Sequence, residues 1–280
     1  MSQIPQTIWM LWFDDWDVAP ELHRRCAESW RLFNPSWEVK TICRKDLPGL
    51  LGEFVQGYEK LRVAMNPLEK FGLSWIPPAA ESDLLRLMLL VRHGGVWADS
   101  TMLCRRQLDS WLPAASISGF FAFAPESVPE KIPVMSSFLA SEPSHPLVCA
   151  WLEKACLHWS RPSATRPDLG FFWVHHLFGE LVSEDAAHAS AWAEVPRISG
   201  EYGVSGPHFW VPYNERLRPA PTPELRAVVE EDWETPMWKL TNHEVKLNDV
   251  GPESCYWILL EETRKKARAF AEEAGSPEPP

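Results

Sequence analysis

Apolar and polar positions along this chain change period repeatedly, and each change marks an element. Residues 4–13 read as a first strand, 20–33 as an amphipathic helix opening at Pro20, and 37–43 as a second strand. Residues 46–65 are helical in pattern with breaks at Pro48-Gly49 and Gly57, and 72–78 read as a loop. Further strands are predicted at 119–124 and 134–139, followed by helices at 145–160 and 170–183. Residues 193–223, rich in Pro, Gly and aromatics, suggest an ordered loop region. A helix at 224–231, a short MWKLT segment and a last helix at 253–273 complete the pattern, with 275–280 (GSPEPP) as a disordered tail. There is no internal repeat. A βαβ start followed by mixed elements predicts an α/β, Rossmann-like nucleotide-binding architecture in one domain over 1–274.

The stretch 82–101, SDLLRLMLLVRHGGVWADST, carries the most information. Residues 83–93 are helix formers behind Ser82, a good N-cap, and Gly94-Gly95 stops the helix. Residues 96–98 read as a short buried strand ending at Asp99-Ser100-Thr101. Ten helical residues descend ~15 Å and about four strand residues return ~13 Å, so Asp83, Arg86 and Asp99 should finish near one edge. A carboxylate just beyond the C-terminus of a strand lies where α/β sheets bind ligands. The pattern also fits plainer roles: Asp83 complementing a helix dipole, an ordinary i,i+3 ion pair with Arg86, and Asp99 as a turn residue.

Composition narrows the classes. With 280 residues, 45% hydrophobic, the chain can bury a substantial core. A net charge of −11 without a Lys/Arg block argues against nucleic acid and against tight adsorption to acidic lipid. The six cysteines show neither CxxC nor a zinc spacing, which suggests a reduced, cytoplasmic protein. No window reaches the ~18 apolar residues of a spanning helix, so a transmembrane segment is not expected, although contact with a membrane surface stays open. Sixteen tryptophans fit an aromatic core, and they also fit a surface that stacks on sugar rings.

IPQTIWMLW, the central block, FFWVHHLF and MWKLT, in that order over about 4–241, resemble the landmarks of the capsular polysaccharide synthesis proteins. These are similar to the DxD sugar transferases of glycosyltransferase family 32. The resemblance implies a GT-A fold with a donor-binding half to about residue 118 and an acceptor-side half over 119–274. The implied activity is retaining, metal-assisted transfer of a hexosyl-type sugar from a nucleotide-sugar, a UDP-sugar foremost, to a glycan or other hydroxyl acceptor. The competing expectations are a non-catalytic nucleotide-sugar or carbohydrate-binding protein derived from such enzymes and a transferase that needs no metal.

The resemblance also implies roles. Asp83 and Arg86, as SDxxR, would grip the donor sugar, and Trp9 would stack on the base. Ser100, Thr101, Lys239 and Thr241 would meet the donor's diphosphate end. Mn²⁺ or Mg²⁺ would need hard oxygen ligands, with Asp99 first and Thr101 where a full DxD carries a second carboxylate. His208 is the favoured outlying ligand, ahead of His243. His175 and His176 would lie on the acceptor side, though neighbours on a helix point about 100° apart and at most one faces the cleft. Gly170 stands where relatives often carry Asp. Two other motifs fail. His93-Gly94-Gly95 resembles an esterase oxyanion loop, but there is no GxSxG; nor is there a Walker A loop or GxGxxG.

Overall fold

A computed structural model describes residues 4–65, 78–125, 133–162, 165–200, 217–240 and 247–273, and the backbone of 208–210. The chain begins β1 (Thr7–Leu11), α1 (Glu21–Phe33), β2 (Glu38–Ile42), α2 (Leu47–Leu51) and α3 (Val55–Met65). It continues through α4 (Pro78–His93), β3 (Gly95–Ala98), β4 (Met102–Cys104), α5 (Leu112–Ala115), β5 (Phe120–Ala122) and β6 (Phe138–Ser141). The helices α6 (Pro146–Ser160), α7 (Trp173–Glu184) and α8 (Ala186–Ala193) follow, then β7 (His208–Trp210), α9 (Pro223–Glu231), β8 (Met237–Lys239) and α10 (Cys255–Glu273).

Five strands form a mixed sheet in the order β2-β1-β3-β6-β5. β2, β1 and β3 run parallel, β6 is antiparallel to β3, and β5 is antiparallel to β6. This mixed, helix-flanked sheet is the α/β class that the sequence predicts. β1 and β3 are buried on both faces, which explains why their sequences are apolar without alternation. A second sheet, β4-β8-β7, stands beside the first. Asp99-Ser100-Thr101 is the turn between them: the Met102 N–H donates to Asp99 O at 2.8 Å, so the chain leaves one sheet and enters the other within three residues.

α4 is the central helix. Residues 83–91 are all buried, so it is covered on every side, and each of its leucines gains about 1.5–3 kcal/mol from burial. It begins at Pro78, five residues before the predicted Asp83. Pro suits the first helical position and Ala79-Ala80-Glu81 continue the helix, so Ser82 is interior and caps nothing. At the entrance, buried Glu81 accepts from Arg44 at 2.7 and 2.9 Å and pairs with the Tyr58 hydroxyl, tying α4 to α3 and to the end of β2.

Elsewhere the pattern misled in identifiable ways. α3 runs through Gly57 without a break; the interruption falls at Gly52, where φ is +52°. The strand predicted at 134–139 forms at Phe138–Ser141, because the Ser136 and Ser137 carbonyls are taken by Arg86 and by the Asp99 N–H. β4 and β7 were hidden in segments too short to show a period, and α8 in an Ala-rich run. Of the tryptophans, Trp9, Trp30, Trp97, Trp151 and Trp238 are fully buried side chains of the core. Among the described residues, no helix is long and apolar enough to cross a membrane.

Gly95 starts β3 at φ +94°, and a Cβ there would meet the Thr7 carbonyl oxygen at 2.5 Å. Gly95→Ala should therefore destabilise the fold by about 2–4 kcal/mol, seen as a lower urea midpoint at unchanged slope.

Candidate active site

β3 delivers Asp99 to the C-terminal edge of the large sheet, and α4 delivers Asp83 and Arg86 to the same place. Arg86 Nη2 lies 2.9 Å from Asp83 Oδ1 and 3.3 Å from Asp99 Oδ1. Its Nη1 donates to the carbonyl and the hydroxyl of Ser136, at 2.7 and 2.5 Å. The guanidinium also sits 5.3 Å from the centre of the Trp97 ring, whose Nε1 donates to Asp99 Oδ1 at 2.9 Å.

Strand pairing adds a second cation. β8 is antiparallel to β4 with Lys239 opposite Met102, and the Leu240 N–H donates to Thr101 O at 3.0 Å. Lys239 is thereby set against the Asp99–Thr101 turn. Its Nζ donates to Thr101 Oγ1 at 2.6 Å and lies 3.3 Å from Asp99 Oδ2.

These contacts divide the two carboxylates. Burial alone would raise Asp99, but the charges of Arg86 and Lys239, with hydrogen bonds from Trp97 and Lys239, hold it below the usual range. Burial pushes Asp83 up to about 7, aided by the Asp99 charge; Arg86 and, less, the Trp173 N–H pull the other way. His175, in the first turn of α7, is driven down to about 3 by burial and by the Arg86 charge, so it is neutral. Around this cluster Arg86 Nε, Trp173 Nε1 and His175 Nδ1 are buried without hydrogen-bond partners. The Trp173 N–H reaches toward Asp83 without closing a bond of ordinary geometry. Unpaired buried polar atoms cost about 1–3 kcal/mol each, and polar groups of a ligand would relieve that cost.

The other predicted residues are placed as follows. Trp9 is 2% exposed, its Nε1 donates to Gly94 O at 2.9 Å, and it packs at the start of β3 rather than at its end. It offers no face to a base. Half-buried Trp12, three residues further and beyond the end of β1, is at the correct edge, its ring 4.4 Å from that of His23. The Ser100 hydroxyl meets His23 Nδ1 at 2.9 Å. His176 is half-buried further round α7 than His175. The backbone of His208 pairs with Met237 in β7, and its side chain lies outside the described residues, as do Thr241 and His243. Sequence reasoning missed Trp12, Ser136 and Trp173. Only Trp12 had a signal, as the last tryptophan of the first apolar run.

The described residues do not fit Mn²⁺ or Mg²⁺. Both Asp99 oxygens face cations, Thr101 Oγ1 is taken by Lys239, and Asp83 is paired with Arg86. Among the described residues, no three His, Cys, Asp or Glu side chains converge as a metal cage. The donor set suits an ammonium group better than a hard divalent ion, which needs oxygen ligands free of competing charge.

No curated protein registers as similar in sequence. Among solved structures, the PaToxG glycosyltransferase aligns with 95% of this chain and 86% of its own, at 12% identity and a TM-score of 0.45. The family profile described as capsular polysaccharide synthesis protein matches residues 1–210. That span holds β1, α4, the Asp99–Thr101 turn and the start of α7, so on the extent of this match the chain belongs to the capsular polysaccharide synthesis protein family.

Proposed function

We propose that the protein is a retaining glycosyltransferase of GT-A type, moving a sugar from a nucleotide-sugar, foremost a UDP-sugar, to a hydroxyl of a glycan or other acceptor. The supporting observation is the cluster Asp83, Arg86 and Asp99 beyond the end of β3, ringed by polar atoms that lack partners. In this reading Asp83 and Arg86 hydrogen-bond the donor sugar's hydroxyls. Trp12 offers a ring for the base, and Lys239 with Thr101 a charged and a hydroxyl group for the diphosphate.

In the reaction, the bond from the anomeric carbon to the diphosphate oxygen breaks and the diphosphate keeps the electron pair. The acceptor oxygen bonds to the same face of that carbon, and its proton passes to the leaving phosphate oxygen. The protein's part is to neutralise charge developing on the leaving group and to hold the acceptor oxygen on the face of the anomeric carbon that the diphosphate leaves. The acceptor side is the start of α7. Phe171 is 74% and Phe172 38% exposed, in a T-shaped pair 5.2 Å apart, and Phe172 is 5.4 Å from the His175 ring. Exposed rings leading to a neutral imidazole suit a sugar, which presents a C–H face and hydroxyl edges.

Release of nucleoside diphosphate from a panel of UDP- and GDP-sugars tests the assignment. Wild type should hydrolyse at least one slowly, and Asp99→Ala should cut the rate per folded molecule about a hundredfold or more, measured well below a melting temperature that the loss of an Arg86 acceptor lowers. Binding of the sugars with no turnover would sink it and favour a non-catalytic binding protein.

The folded pKa of Asp83, about 7, lies above the 3.8 of an ordinary aspartate. Its stabilising contribution is therefore fully present below about pH 3.8 and is lost as pH rises through about 7. Relative to wild type, the melting temperature of Asp83→Asn should rise by at least about 3 °C between mildly acidic and mildly alkaline buffer. An unchanged difference would show that Asp83 is ionised throughout.

Phe172→Ala should raise the acceptor KM about tenfold while leaving donor hydrolysis within about twofold. An equal loss of hydrolysis would place this residue on the donor instead.

A further inference from the structure

Asp99-Ser100-Thr101 has the spacing of a metal-binding turn, yet the group gripping both ends of it is a lysine. Lys239 Nζ donates to Thr101 Oγ1 at 2.6 Å and stands 3.3 Å from Asp99 Oδ2, between the two side chains that would have to share a divalent cation. We infer that the Lys239 ammonium does the work of that cation at the donor diphosphate, so that donor binding and cleavage proceed without a metal. The inference rests on the nucleotide-sugar reading above and deepens it.

Three observations carry it. The first is location. Lys239 closes β8, a strand paired residue for residue with β4, so its ammonium is held at the turn by the ladder that pairs Met102 with Lys239. The second is charge. Arg86 is divided between the carboxylates of Asp83 and Asp99, and Lys239 faces the other Asp99 oxygen, so neither Asp99 oxygen is clear of a cation. A diphosphate meets the ammonium favourably; a divalent cation in the same place meets repulsion. The third is donor capacity. An ammonium has three N–H groups; one is committed to Thr101, one faces Asp99, and the last reaches Leu240 O only at 3.4 Å. That loosely held donor is free to turn to a phosphate oxygen.

In the proposed step Lys239 keeps its proton. It donates a hydrogen bond to the diphosphate oxygen as the bond to the anomeric carbon breaks and the electron pair stays on that oxygen. The acceptor's proton ends on the diphosphate, and no oxidant, reductant or further reactant is involved.

Calorimetry of the full chain with UDP and with GDP, in excess EDTA and again in excess MnCl₂, reads the inference directly. The dissociation constant should agree within about twofold between the two media. Lys239→Met should weaken it at least about tenfold in both, and Lys239→Arg should recover most of the loss. Manganese electron paramagnetic resonance on wild type with UDP should match the spectrum of Mn²⁺ with UDP alone. Tightening of UDP or GDP by Mn²⁺ tenfold or more, or a bound Mn²⁺ signal that Asp99→Ala abolishes, overturns the inference. If nucleotide-sugar hydrolysis then proceeds with Mn²⁺ alone, the transferase reading survives while the lysine's role falls. Failure of both nucleotides to bind in either medium overturns both. The wild-type comparison needs no variant to fold, so a misfolded Lys239→Met would leave the result intact.

Discussion

A guanidinium that is 4% exposed must be surrounded by acceptors, and satisfying Arg86 organises the edge of the large sheet beyond the end of β3. Asp83 supplies one acceptor from the preceding turn of the same helix, Asp99 another from the end of β3, and Ser136 two more from the approach to β6. α4, the end of β3 and the approach to β6 are thus fixed against one planar cation. Removing any one acceptor leaves charge unbalanced in a dry place, so the cluster behaves as a unit. The same demand explains why β6 starts late: its approach is occupied in serving Arg86 and the Asp99 backbone.

Sharing one cation between two carboxylates also differentiates them. Asp99 receives a second cation from β8 and stays ionised, whereas Asp83 must share Arg86 and sits near neutrality. A protonated carboxyl donates as well as accepts, and an ionised one only accepts. One site therefore holds groups of different hydrogen-bonding character without departing from common residue types, as happens where environments push paired pKa values apart.

Much of this was legible in the sequence, and the reasons are local. Helix and strand rises bring Asp83, Arg86 and Asp99 to one edge because both elements are short, regular and joined by two glycines with positive φ. The Gly94-Gly95 stop and the ending of β3 at Asp99 depend on backbone chemistry that a sequence displays directly. What stayed hidden depends on partners far along the chain. Nothing in PVMSSFLA announces that a serine carbonyl will receive an arginine from residue 86. Trp9 and Trp12 are equally aromatic, and only the strand's true end tells which one is walled in by Gly94 and which reaches the edge. The contact of Lys239 with Thr101 spans 138 residues and exists because a three-residue strand, too short to show a period, joins a second sheet.

That last contact makes the charge of the site a property of alignment between two strands. Lys239 faces the turn because it pairs with Met102, while Trp238 beside it is fully buried among the core side chains. Side chains alternate along a strand, so a slip of one residue would turn the lysine inward and bring an indole to the turn. The length of the segment between α9 and β8 is therefore part of the chemistry. An insertion or deletion of a single residue there would reverse which side chain meets the turn, whereas a substitution along the same stretch would leave the register intact.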